Sequence, residues 1–422
     1  MKLLLVAPTV DPNDVGESWV AWQWARHLTD RHDVTLLTYR KRGHASVVDL
    51  LPGARVQEWV EPPLLGSAER LNSLMKPAYL PFTMRARRWI RRALDRGESF
   101  DVGFQPLPVA MRYPSPLRGS GIPYVIGPLG GGLQAPAAFE DEDTAPAYMA
   151  LRRLDPWRLR YDRFLRGSYE DAACVLGIAT YVEEALRDLR LCRFEILAET
   201  ALEKLPEVEE RMPSSGPVRL LFVGRLIRTK GARDAITALG HLRDVDVVLD
   251  VAGDGFDREA CEKLASELGV RDRVRFHGAL KRADVDDLYR AADVFVFPSY
   301  REPGGNVVFE AMGHGLPLVV NDRGGPGSAV TDDCGFRVTA HDPAQYATDL
   351  ANVIRRLCAD PALRERMGVA ARRRVEAVGL WDAKVAVVDR IFGEITARRA
   401  ADSGRTVALG REGLIKGEQS CT

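Results

Sequence analysis

Two carboxylates stand in an unusual place in the stretch REPGGNVVFEAMGHGLPLVV, Arg301 to Val320. Pro303, Gly304 and Gly305 follow Glu302 directly, and Glu310 comes after seven intervening residues. Proline and paired glycines break a helix, so Glu302 is expected on a loop and Glu310 on the helix that follows. Asp293–Pro298 reads as a strand and Ser299–Gly305 as its exit loop, with Asn306 as N-cap of a helix ending near Gly315. Gly304 and Gly305 remove side chains where a ligand would clash and leave backbone donors exposed. Carboxylates accept well from neutral hydroxyls, so this pair could grip two separate polyols. The plainer reading makes Glu302 a loop acid and Glu310 a solvated helix-face acid.

A second set of residues points to phosphate. In VGRLIRTKGARDAI, Val223 to Ile236, a strand ends at Gly224 and a helix begins near Gly231, which displays Arg225 and Lys230 on the connecting loop. A helix N-terminus adds partial positive charge and outward N–H groups, and two cations beside it suit a diphosphate. A solvated basic loop is the plain alternative. In VAGDGFDREACEKL, Gly253 and Gly255 allow a tight turn and close ligand approach, but the third glycine of the dinucleotide fingerprint is missing.

These loops need strands to carry them. Leu3–Ala7, DVTLLTY, DVGF and PYVIG read as strands of a first series, alternating with the helical patterns WVAWQWARHL and RARRWIRRALDR. A second series runs VRLLFVG, DVVLDVAG, VRFHG, DVFVFPS and LPLVV, with helical patterns between them. Strand–helix alternation implies parallel sheets covered on both faces, and the ligand then lies at the carboxyl ends of the strands. The expected organisation is α/β. Residues 1–205 form an N-terminal domain and residues 206–217 an acidic, proline-bearing linker. Residues 218–381 form the second domain, a helix at about 382–400 returns to the first, and residues 401–422 are a disordered tail. Pro343–Val378 reads as one long helical stretch.

Composition narrows the classes. The chain has 422 residues, 46% hydrophobic and 28% charged, with 59 basic and 59 acidic side chains, so net charge argues for no nucleic-acid partner. Six scattered cysteines without a CxxC pair argue against a disulfide framework or structural zinc. The opening MKLLLVAPTV stops at Asp11 without a small-residue cleavage pattern, which favours a buried strand over a signal peptide. No run reaches the ~18 apolar residues of a membrane span, so a soluble, cytoplasmic protein is expected.

The segments VGRLIRTKG, VAGDG, VRFHGAL, ADVFVFPS and EPGGNVVFEAMGHGLPLVV, in that order, resemble the family 4 retaining glycosyltransferases of the GT-B fold. The resemblance covers about Val218–Val330. It implies two facing Rossmann-like, doubly wound domains with a C-terminal crossover helix, and a nucleotide-sugar donor with neither cofactor nor essential metal. By the same resemblance, Arg225 and Lys230 hold the donor diphosphate and Glu302 contacts the transferred sugar. Gly304, Gly305 and Asn306 supply nearby donors, Glu310 binds the ribose, and the backbone at Ala279–Leu280 faces the base. Gly253 lies on the donor side.

The N-terminal half matches the family less closely. Gly16-Glu17 stands where members carry a glycine-rich loop, with one glycine instead of the common pair. The segment PYVIGPLGGG lacks the histidine many members have near the transferred sugar; its Gly130, Gly131 and Gly132 are expected near donor or acceptor. A uridine donor is favoured on family frequency. The segments VAPTVDPNDVGESW and IGPLGGGLQAP are similar to transferases that modify aminocyclitols in antibiotic pathways, which implies N-acetylglucosamine transfer onto 2-deoxystreptamine in aminoglycoside biosynthesis. Glu17 and the Glu140–Asp143 cluster could then attract a polyamine, and an ordinary solvated loop explains them equally well. Alternatives are a cell-surface polysaccharide or lipid-linked acceptor, a sugar-nucleotide epimerase, and a non-catalytic nucleotide-sugar binder.

Other features have plainer readings. His277 reads as a strand-terminus residue, and Trp19, Trp22 and Trp24 as core packing. The helix carrying Arg85, Arg87, Arg88, Arg91, Arg92 and Arg96 could dock on anionic lipid, as could Leu151–Arg166, though a solvated face is favoured for both.

Overall fold

The computed structural model describes residues 1–14, 16–62, 76, 78–142, 154–207 and 216–417, with side chains omitted for 140–142 and 402–417. Two parallel sheets form the frame. The first holds β1 (Lys2–Thr9), β2 (Asp33–Arg40), β3 (Arg55–Val60), β4 (Val102–Gln105), β5 (Tyr124–Leu129), β6 (Cys174–Gly177) and β7 (Phe194–Ile196) in the order β3-β2-β1-β4-β5-β6-β7. The second holds β8 (Val218–Val223), β9 (Val247–Ala252), β10 (Val274–Gly278), β11 (Val294–Phe297), β12 (Leu318–Asn321) and β13 (Gly335–Val338) in the order β10-β9-β8-β11-β12-β13. Every strand pair is parallel.

Burial explains why these runs read as strands. Leu3–Ala7 of β1 and Val294–Phe297 of β11 are covered on both faces, as a helix-sandwiched parallel sheet requires. In each sheet the chain reverses direction of winding between two central strands, β1/β4 and β8/β11, and a crevice opens at their carboxyl ends.

Several contacts tie the two halves together. The last helix, Trp381–Gly417, buries Trp381, Val385, Val388, Ile391 and Phe392 in the core of the first sheet, at helical spacing along one face. Its start is pinned to the segment after β7, with Leu202 N donating to Gly379 O at 2.8 Å and Trp381 N to Leu202 O at 3.1 Å. Phe139, on a 3₁₀ turn beyond β5, is fully buried in the core of the second sheet, with its ring 4.5 Å from Tyr300.

Several expectations change. Pro343–Val378 is two helices, Pro343–Ala359 and Pro361–Val378, because Pro361 cannot continue the first and Asp360 caps the second through Leu363 N at 2.8 Å. The crossover helix runs to Gly417 instead of ending near 400. Gly305, at φ 84°, is the N-cap where Asn306 was expected; Asn306 is the first helical residue. Strands β3, β6, β7 and β13 are additions to the expected set. Most of the linker (208–215), residues 151–153 and the side chains of Glu140–Asp143 lie outside the described residues.

Candidate active site

The crevice at β8/β11 collects the predicted C-terminal residues. Arg225 is exposed on the loop leaving β8, and Lys230 ends a 3₁₀ turn on the same loop before the helix Ala232–Gly240. Glu302, on the loop leaving β11, forms an ion pair with Lys230 Nζ; these side chains are only 12% and 16% exposed. A cation from one central strand and a carboxylate from its neighbour therefore meet at the reversal point. The helix Asn306–Gly313 starts immediately beyond, and Glu310 on it pairs with Arg282 and accepts from Tyr289 Oη at 3.1 Å. Glu302 and Glu310 thus sit on a loop and a helix, as the PGG break requires.

Glycines lock these loops to one another. A Cβ on Gly253 would lie 1.9 Å from Gly224 O, and one on Gly231 2.3 Å from Pro298 O. The spacing of Gly253 and Gly255 therefore serves close backbone packing against the β8 loop. Leu280 is half-buried at the exit of β10, and His277 Nε2 lies 2.7 Å from Asp250 Oδ1, a strand-end pairing.

The opposite wall comes from the first sheet. Gly16, at φ 66°, precedes the helix Glu17–Thr29 at the exit of β1, and Glu17 pairs with Lys76. Gly131 N donates to Tyr181 Oη at 3.2 Å, so this backbone donor is already used, while Gly130 N bonds Val109 O at 2.7 Å and packs under Ile178. Burial raises the Tyr181 phenol pKa, and the charges of Glu199 and Glu302 add to the rise. Thr180 N donates to Ser328 Oγ at 3.3 Å, and Leu133 presses on Gly324, which close the two walls together.

Sequence reasoning missed four groups here. Glu199 and Thr200, on the segment after β7, reach the glutamate loop: Glu199 Oε2 lies 3.6 Å from the Cβ position of Gly304, and Thr200 hydrogen-bonds Asn306 Oδ1. Burial and the charge of Glu17 push the Glu199 carboxyl up to about 7, against the pull of Lys384 and Lys76. Lys384 is 1% exposed, its Nζ 4.6 Å from the Trp381 ring and 5.3 Å from Trp24, with no hydrogen-bond partner among the described residues. Burial lowers its ammonium to about 7. Gly324 and Gly325 complete the floor, with Cβ positions 2.1 Å from Glu302 O and 1.8 Å from Gly304 O. Only this last pair had a sequence signal, a second strand-exit Gly-Gly that repeats Gly304-Gly305.

Among the described residues no three His, Cys, Asp or Glu side chains gather in a metal-binding group. The arrangement offers cations, helix starts and carboxylates in one crevice, suited to an anionic leaving group flanked by hydroxyl-rich partners.

Comparison with known proteins agrees with this geometry. Residues 207–374 match the sequence model of the family described as Glycosyl transferases group 1. A D-inositol 3-phosphate glycosyltransferase of Streptomyces bingchenggensis is 37% identical over 186 residues, which span 41% of this chain and 40% of that protein. The chain thus spans less than half the length of the curated relatives it matches. Sucrose-phosphate synthase from Thermosynechococcus elongatus superposes with a TM-score of 0.63 at 21% identity, over 94% of this chain and 99% of that one. Anabaena HepE in complex with UDP-glucose superposes at 0.57 and 18% identity, over 95% and 100%. In fold the chain is a GT-B protein, and its similarity to the glycosyl transferases group 1 model lies in residues 207–374.

Proposed function

We propose that the protein is a retaining glycosyltransferase that moves a hexose or N-acetylhexosamine from a uridine diphosphate sugar to a hydroxyl of a polyhydroxylated acceptor. The observation that carries this reading is the Lys230–Glu302 pair at the β8/β11 reversal, enclosed by glycine-walled loops and helix starts. On donor binding, Lys230 exchanges Glu302 for diphosphate oxygens, and Arg225 grips a second pair. Glu302 is released to the hydroxyls of the transferred sugar, and Glu310 exchanges Arg282 for the ribose. The bond from C1 to the diphosphate oxygen breaks while a bond from C1 to the acceptor oxygen forms on the same face. The acceptor proton passes to the departing phosphate, and the cations and helix starts stabilise the charge that develops there.

The acceptor side carries Glu17 and Glu199, which suit a neutral or cationic polyol better than a phosphorylated one. The relative named for inositol phosphate acts on a cyclitol, and the specific acceptor proposed here is the aminocyclitol 2-deoxystreptamine, with N-acetylglucosamine as the sugar. The test is mass spectrometry of products from a matrix of UDP-sugars and acceptors, including 2-deoxystreptamine, inositol 3-phosphate and lipid-linked saccharides. A glycosylated aminocyclitol supports the reading in full. Product only on the phosphorylated cyclitol overturns the acceptor assignment, and an epimerised donor overturns transfer itself.

A further inference from the structure

The first domain carries a surface that the crevice does not use. On the helix Tyr79–Asp95, Leu80 and Met84 are 65% and 58% exposed, and Arg88, Arg91 and Arg92 continue the exposed side toward its C-terminus. Across the strip 112–118 lie the helices Asp155–Tyr161 and Arg163–Glu170, which expose Trp157 (61%), Tyr161 (56%) and Phe164 (66%) beside Arg160 and Arg163. The Trp157 and Tyr161 rings pack in a tilted arrangement with centroids 5.6 Å apart.

The strip joins the two sides into one surface. Arg87 Nη2 donates to Arg118 O at 3.1 Å, and Arg118 in turn donates to Arg163 O at 3.3 Å and to Asp171 at 2.8 Å. At the other end, Arg112 pairs with Asp155 at 2.7 Å, and Arg158 donates to Arg112 O at 3.1 Å.

Four acids of this region are paired, and one, Asp95 at the end of the first helix, is exposed. Asp155, Asp162, Glu170 and Asp171 each hold an arginine, whereas Arg88, Arg91, Arg92 and Arg163 have no carboxylate partner among the described residues. Large apolar side chains standing in water beside uncompensated arginines are not an ordinary solvated face. Aromatic and apolar groups at the depth of lipid headgroups, with arginines at phosphate level, are the composition of a helix pair that lies on a membrane. No helix among the described residues is long and apolar enough to cross one.

We infer that the surface formed by Tyr79–Asp95 and Asp155–Glu170 docks the protein peripherally on an anionic phospholipid bilayer. Lys76, just before the first of these helices, pairs with Glu17 at the exit of β1, so the docked face borders that wall. This inference stands whether or not the proposed acceptor is correct.

The test is co-sedimentation of the full chain with vesicles of pure phosphatidylcholine and of phosphatidylcholine with about 30% phosphatidylglycerol, at low and high salt. Binding is expected to the anionic vesicles and to weaken with salt. Arg88→Glu/Arg91→Glu/Arg92→Glu is expected to weaken partitioning about a hundredfold. Trp157→Ser/Phe164→Ser is expected to weaken it at least tenfold at both salt concentrations. Both variants change exposed side chains, so their circular dichroism and nucleotide affinity are expected to match the parent. Equal binding to both vesicle types, or binding undiminished in both variants, overturns the inference. So does self-association in gel filtration that the variants abolish while vesicle binding is absent, since the surface would then be an interface between copies.

Discussion

The two walls of the crevice are built in different ways. In the second domain, successive strand exits pack so closely that only glycine fits: a Cβ on Gly255 would lie 2.2 Å from Leu226 O, one on Gly324 2.1 Å from Glu302 O and one on Gly325 1.8 Å from Gly304 O. In the first domain, a Cβ on Gly16 meets nothing within 4 Å, and one on Gly131 meets only Ala110, from 3.7 Å. There the wall is held by side chains from separate elements, as Glu17 is by Lys76 and Gly131 by Tyr181. A wall of interlocked backbone presents one fixed ligand shape, whereas a wall of side-chain pairs is re-aimed by single substitutions. In the proposed reaction the first kind serves the nucleoside diphosphate and the second the acceptor.

The largest effect that separates the walls is expected at Glu302. Glu302→Ala should lower kcat by about 10²–10³-fold, the range for removing one positioned polar group at a reacting centre, while the affinity for UDP stays near that of the parent. Glu17→Gln, on the other wall, should change the acceptor KM by less than about tenfold with UDP affinity untouched. Steady-state kinetics with calorimetric UDP binding checks both. Equal loss of UDP affinity in the two variants breaks the division between a donor wall and an acceptor wall.

Next in size is the tether between them. Phe139 leaves the first domain to stack on Tyr300 and lies over the Arg228 guanidinium, which is bound to Asp234. Phe139→Ala should destabilise the protein by about 3–5 kcal/mol in urea unfolding, the cost of a buried aromatic truncation. If the walls are independent bodies, the loss should appear as a separated first transition instead of a uniform shift.

The legibility of the molecule follows the same contrast. The β8/β11 side was readable because Arg225, Lys230 and Glu302 lie on loops that leave a strand and Glu310 on the helix that follows, where local pattern fixes placement. The Asp360-Pro361 helix break was also available locally, since proline disfavours helix in the residue before it. Glu199, Tyr181, Phe139 and Lys384 act through partners far away in the chain. Thr200 meets Asn306 and Thr180 meets Ser328, separations at which no periodicity carries a signal. The four-residue β6 and three-residue β7 are too short to show a period at all.

A smaller effect compares glycines on the two walls. Gly325→Ala places a Cβ against the Gly304 carbonyl and should cost about 2–3 kcal/mol of stability together with activity, because the glutamate loop has to shift. Gly16→Ala has open space and faces only its positive φ, so about 1 kcal/mol is expected, with kcat retained. Similar losses at both sites in chemical denaturation would remove the distinction between an interlocked and an open wall.

The finest test concerns Lys384, caged by Trp24 and Trp381 and coupled by charge to Glu199 on the segment after β7. Its folded-state value of about 7 lies below the usual 10.5, so the unfolded chain binds the extra proton between those limits. Stability should therefore rise with pH from about 7 toward 10.5, with the full penalty present below 7. Glu199, raised to about 7, acts in the adjoining window: its contribution falls as pH rises from the usual carboxylate value of 4.5 and is constant above about 7. Lys384→Met removes the alkaline gain and also the cation that draws the Glu199 value down, so that carboxyl should titrate higher still. Measured by urea midpoints at several pH values, the parent should gain stability between about pH 7 and pH 9 while Lys384→Met shows no gain and declines until Glu199 is ionised. If acceptor binding needs ionised Glu199, the acid limb of kcat/KM should move to higher pH in the same variant. A parent whose midpoint is flat over that interval would mean that the ammonium stays charged between the two indoles, a fixed cation beside Glu199.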